Sequence, residues 1–198
     1  MTLHSRLRSL TPILVALLLG TDAGPVSLLR AASNPLPTEG QLLRLIQSDA
    51  ALGDKAVACK QLAVVGSVAA VPVVAPLLID PDLSSWARIT LEAIPGPEAE
   101  AALRTATRQV RGRLLVGVVN SIGVRRDALA VPLLTEVLDH SDHEVAVAAA
   151  IALGRIGSEE AAEGLLTRLG TTSESLGAAM ARGVVLCAER AWAQGDPS

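Results

Sequence analysis

Two histidines of the chain stand close together, in the run DHSDHE over residues 139–144. Imidazole nitrogens and carboxylates at this density can coordinate a divalent ion, so His140, Asp142, His143 and Glu144 form a candidate metal site. The competing reading is structural. Acids placed just ahead of an apolar periodic segment cap a helix and complement its dipole, and this run occupies such a place. A second cluster is cationic. No Asp or Glu occurs between Ala101 and Arg126, whereas Arg104, Arg108, Arg111, Arg113, Arg125 and Arg126 all fall there. Guanidinium forks grip carboxylates and phosphates, which makes these six a candidate binding surface for an anionic partner. The alternative is a solvated face, paired with Glu98 or Glu100. Arg104, Arg108 and Arg111 recur at i, i+4 and i+7, the spacing of one helical stripe.

Other chemistry is missing from the motifs. There is no GxSxG nucleophile elbow, no phosphate-cradling P-loop and no cysteine with a histidine partner, so no catalytic residue and no cofactor is expected. Cys59 and Cys187 stand in the first and last parts of a repeating array. Their separation there exceeds the roughly 7 Å Cα limit for a disulfide, and both read as small buried hydrophobes.

That array is what must position these groups. Four segments end in a helix breaker at Gly66, Pro95, Gly123 and Gly157. One residue before the breakers stand Val65, Ile94, Ile122 and Ile156; four before, Leu62, Leu91, Val119 and Leu153; eight before, Ala58, Ala87, Leu115 and Ala149. These offsets trace one buried helix face, repeated four times. After each breaker a second helix begins: AVPVVAPLL (70–78), AEAALRTA (99–106), AVPLLTEVL (130–138) and AAEGLLTRL (161–169). Pro72 and Pro132 suit a first turn, and Pro76 predicts a kink. The longer third interval implies an enlarged turn, VRRDAL, with about three inserted residues. Thr38 and Gln41 have capping-box spacing for an entry helix, and Ser173 is placed to cap a closing one.

Composition agrees with helices. Half the residues are hydrophobic, yet Phe and Tyr are absent and Trp86 and Trp192 are the only aromatics. Small aliphatics suit closely stacked helices and lack the aromatic and β-branched runs of sheets. The expected fold is therefore all-α, a short solenoid of stacked antiparallel helix pairs. A net charge of -3 indicates no strong global field for nucleic acid or membrane. Residues 1–23, with basic His4, Arg6 and Arg8, an apolar middle and small Thr21 and Ala23, read as a signal peptide. Its apolar run is too short for a stable membrane anchor. The expected organisation is a signal over 1–23, an exposed leader over 24–37 and a repeat domain over 38–194. Its repeats lie near 54–79, 83–109, 111–138 and 142–170, with a closing helix over 174–194.

The stretch LLTEVLDHSDHEVAVAAAIALGRIGSEEAAEGLLTRL resembles the HEAT-like repeat of the phycobilin-lyase type, with its acidic turn, alanine-rich first helix, ALGxIG closure and second helix. DKAVACKQLAVVGSVAAVPVVAPLL and NSIGVRRDALAVPLL are similar to the same unit as found in exported bacterial proteins. This resemblance, over residues 38–192, implies an armadillo-like solenoid whose second helices line the concave side. It implies a scaffold that binds a protein partner, one with an acidic surface if the arginines are used, in the periplasm or outside the cell. Nucleic-acid binding is disfavoured by export and by the lack of stacking aromatics. A lyase-like enzyme is disfavoured because two tryptophans make a poor lining for a tetrapyrrole. Di-iron HEAT-like hydroxylases use several His-Glu pairs, and His143-Glu144 is the single pair here. Tetratricopeptide repeats, the structural rival, carry Trp, Tyr and Phe positions that this chain lacks.

Overall fold

The computed structural model describes residues 37–195, which contain ten α-helices, short 3-10 segments and no strand. The signal segment and nearly all of the leader lie outside the described residues. An entry helix, α1 (Glu39–Gln47), precedes four helix pairs. The first pair is α2 (Leu52–Val65) and a run made of α3 (Val71–Val74) between two 3-10 segments, Val68–Ala70 and Ala75–Ile79. Next come α4 (Ser84–Ala93) with α5 (Pro97–Ala106), then α6 (Gly112–Arg125) with α7 (Val131–Val137). The fourth pair is α8 (His143–Ile156) with α9 (Glu159–Leu166), followed by the long α10 (Glu174–Gln194). First helices stack in order, α2 on α4, α4 on α6, α6 on α8 and α8 on α10. The described residues are an all-α solenoid, and α10 takes the place of a fifth first helix.

Local chemistry explains where the helices begin. At α1, Thr38 and Gln41 close a capping box: the Thr38 N–H donates to Gln41 Oε1 at 2.8 Å and the Gln41 N–H donates to Thr38 Oγ1 at 3.4 Å. Three of the second elements start on a side chain that accepts an amide of the first turn. Ser67 accepts from Ala69, Asp127 from Leu129 and Ser158 from Ala161. The remaining one, α5, starts on Gly96 and Pro97. Ser173 occupies the N-cap of α10, but its side chain accepts no capping bond. Pro76 does more than kink its segment: α-helix gives way to 3-10 geometry at Ala75, because the ring cannot donate to the preceding turn.

The buried face follows the aliphatic columns with one exception. Leu62, Leu91, Val119 and Leu153 are fully buried, as are or nearly are Ala58, Ala87, Leu115 and Ala149, and Ile94, Ile122 and Ile156. Val65 departs from its column at 39% exposed, on the first helix of the stack, with Leu52, Val57 and Val64 exposed on the same helix.

A second departure corrects the register of the third repeat. Gly123 does not end a helix: α6 continues through it to Arg125 and is terminated by Arg126 in the left-handed region, φ 55°. Arg126 therefore matches Gly157, which ends α8 at φ 69°. These two caps are 31 residues apart, so of the residues assigned to an enlarged turn Val124 and Arg125 continue α6, Arg126 ends it and Asp127 starts the next element. Gly123 matches Gly154, and both serve close helix approach. A Cβ on Gly123 would lie 2.8 Å from Ala152 Cα on α8, and one on Gly154 2.7 Å from Gly183 Cα on α10.

That geometry predicts opposite signs for one substitution. Gly154→Ala gains about 1 kcal/mol of helix propensity but must push two backbones apart, a net loss of about 1–3 kcal/mol. Gly53→Ala, on α2 with nothing within 4 Å, should instead gain about 0.4–1 kcal/mol. Urea unfolding of both variants measures this. Equal stabilities would mean that α8 and α10 do not pack in this way.

Candidate functional site

The six candidate arginines are distributed over several places. α5 ends at Ala106, so Arg104 lies on the helix, Arg108 in the turn after it, and Arg111 at the N-cap of α6. Arg111 turns back on its own turn, its Nη1 donating to the carbonyls of Val110 at 2.7 Å and Arg108 at 3.1 Å. Arg113 and Arg126 stand at opposite ends of α6, about 20 Å apart at 1.5 Å per residue. A single ligand-sized group cannot touch both.

Two of the six are tied into the fold. Arg104 pairs with Asp127, whose carboxylate is only 1% exposed and whose Oδ1 also accepts the Leu129 amide. The pair fastens the second helix of one repeat to the turn of the next. Arg125 is more deeply placed. Its Nη1 donates to the carbonyls of Leu91 at 2.8 Å, Glu92 at 3.2 Å and Ile94 at 2.6 Å. Its Nη2 donates to Gly96 O at 2.8 Å and to Glu100 Oε1 at 3.3 Å. These are the carbonyls that the end of α4 leaves without partners, so Arg125 caps its neighbour's C-terminus in the place that Ile156 fills in the fourth repeat. Arg190 reaches over the end of α8 in a similar way, its Nη1 3.5 Å from Arg155 O. Of the two acids in the sequence reading, Glu100 is engaged, by Arg125, while Arg104 pairs instead with Asp127, just after the acid-free window.

Arg104 and Arg108 do share a groove. Ala101, Arg104, Thr105 and Arg108 form one wall, and Leu129, Pro132, Leu133 and Glu136 the other, around about 410 Å³. Leu129 is 72% exposed. Arg108 makes no ion pair among the described residues. The groove thus combines an apolar knob, an available guanidinium and a carboxylate at Glu136, the mix from which protein-binding surfaces are made. A larger cleft, about 490 Å³, lies at the C-terminal ends of the first helices, lined by Arg126, Arg155, Arg190 and Glu189 among others.

The histidine run is used for capping. Asp142 is the N-cap of α8 and its Oδ1 accepts the Glu144 amide at 3.0 Å. His140 Nδ1 accepts the Asp142 amide at 2.9 Å, and His143 Nε2 is 2.7 Å from Ser175 Oγ on α10. Among the described residues no three His, Cys, Asp or Glu side chains are grouped to hold a metal ion. Cys59 and Cys187 are free and buried. Burial pushes both thiols above their usual range, which disfavours the reactive thiolate.

Stacked pairs of this kind, each burying its apolar face only against neighbours, define a repeat solenoid. Residues 112–183, from α6 into α10, match the family model of HEAT repeats. No curated protein matches the chain. HEAT repeats generally serve as protein-binding scaffolds.

Proposed function

We propose that this protein is a non-catalytic scaffold, acting outside the cytoplasm, that binds a protein partner through the groove between α5 and α7. The partner presents an acidic segment with an apolar side chain beside it. The acid would pair with Arg108, and the apolar group would pack on Leu129, Pro132 and Leu133. Support comes chiefly from one observation: Leu129 stands 72% exposed beside an arginine without an ion pair, in a groove between neighbouring repeats. Placement outside the cytoplasm rests on the basic and apolar pattern of residues 1–23.

Affinity capture from the exported fraction of the source cells tests the reading. Captured partners should bind the double variant Arg108→Gln/Leu129→Ser about tenfold or more weakly, with a flatter salt dependence. Arg104 is left in place, because removing it would strand the buried Asp127 carboxylate and confuse binding with folding. Unchanged affinity in the double variant would exclude the groove.

A further inference from the structure

Arg88 and Glu92 on α4 face Gly117 and Ser121 on α6. Arg88 Nη1 donates to Gly117 O and Ser121 Oγ, both at 3.3 Å, and Ser121 Oγ donates to Glu92 Oε1 at 2.6 Å. Both pairings span 29 residues, so the two helices run parallel in constant register and their N-termini open at the same end. The same offset sets Arg113 beside Ser84. Neither N-cap side chain accepts a first-turn amide, and although Asp80 takes the Leu83 and Ser84 amides at the start of α4, two N-termini lie side by side.

Between them lies a cavity of about 310 Å³ lined by Pro81, Ser84, Ser85, Arg88, Arg113 and Leu114. We propose that it binds a phosphate-class oxyanion. Ser84 is 2% exposed, and its buried hydroxyl has no hydrogen-bond partner. A buried hydroxyl without a partner is unfavourable, and an oxyanion in the cavity that Ser84 lines would accept its proton. Arg88 is held flat against Gly117, where a Cβ would sit 2.7 Å from its Nε. Among the described residues, its Nε and Nη2 make no hydrogen bond, and neither does the Arg113 side chain. Among the described residues, no carboxylate lies within ion-pair distance of either arginine. Two of the three nearby acids are engaged: Asp80 Oδ1 accepts the amides of Asp82 and Leu83, and Glu92 accepts from Ser121; the third, Asp82, is exposed and makes no ion pair with either arginine among the described residues.

Two guanidinium groups, two hydroxyls and two helix starts fit a tetrahedral, doubly charged anion better than a singly charged planar carboxylate. The phosphoryl group is either free inorganic phosphate or a phosphate ester. This site is independent of the α5/α7 groove, so either reading can fail alone.

Calorimetric titration of the full chain with inorganic phosphate, acetate and O-phosphoserine tests the assignment. Phosphate should bind saturably and raise Tm, with acetate about tenfold or more weaker. Arg113→Gln and Ser84→Ala should each weaken phosphate about tenfold, whereas Arg44→Gln, a charge-matched control on α1, should not. Ser84→Ala should leave the Tm of the ligand-free protein equal or higher, which separates a lost ligand contact from a lost structural one. O-phosphoserine binding more tightly than phosphate would identify an ester as the ligand, and weaker binding the free anion. No saturable phosphate binding by the wild-type chain would overturn the proposal. So would wild-type affinity in both Arg113→Gln and Ser84→Ala.

Discussion

A chain ended after Thr172 will not give a soluble monomer. Such a chain loses α10, the helix that covers the inner faces of α8 and α9. Leu176, Met180 and Cys187 are buried on that contact, and Gly183 meets Gly154 backbone to backbone, with Leu165 Cδ1 also against it. Without them, fully buried Leu153, Ala150 and Leu165 become part of an open apolar end. A stack without its terminal element exposes the face that each repeat buries on the next, and exposed faces of this kind associate. Size-exclusion chromatography of the truncated chain should show aggregates or oligomers. A monodisperse monomer with undiminished helical circular dichroism would assign the last helix some purpose other than closing the stack.

Leu153→Ala should cost about 2–5 kcal/mol, the range for removing a fully enclosed leucine from a rigid core. Leu153 is fully buried on α8, between α6 and α10, and its carbonyl accepts both the Gly157 N–H at 3.0 Å and a weak contact from the Cys187 thiol at 4.0 Å. Close packing on both sides limits collapse around the void, which favours the upper half of that range. The control is Val64→Ala on α2, where the side chain is 81% exposed and the expected change is within about 0.5 kcal/mol. Urea unfolding of the two variants gives the comparison. A loss under about 1 kcal/mol for Leu153→Ala would place that residue off the buried face.

The repeated aliphatic columns carried the fold class, because a helix buries every third or fourth residue and the pattern survives in the sequence whatever the neighbours are. Capping was legible for a similar reason. Thr38 with Gln41, and Asp142 ahead of α8, satisfy amides only a few residues away. The sequence also located the arginines, but not their tasks. Whether a guanidinium faces water, caps a neighbouring helix or holds a buried acid depends on partners such as Asp127 and the α4 carbonyls, which packing alone brings into reach. Gly123 was ambiguous on the same ground. A glycine that ends a helix and one that lets two helices touch look alike in one dimension, and only the approach of Ala152 separates them. The cavity at Ser84 had the faintest signal, since its two helix starts are far apart in the chain and are joined only by the 29-residue register of α4 against α6. Periodicity along one helix is a local property, written by the sequence; the pairing of polar groups between helices belongs to the stack and appears only when it has formed.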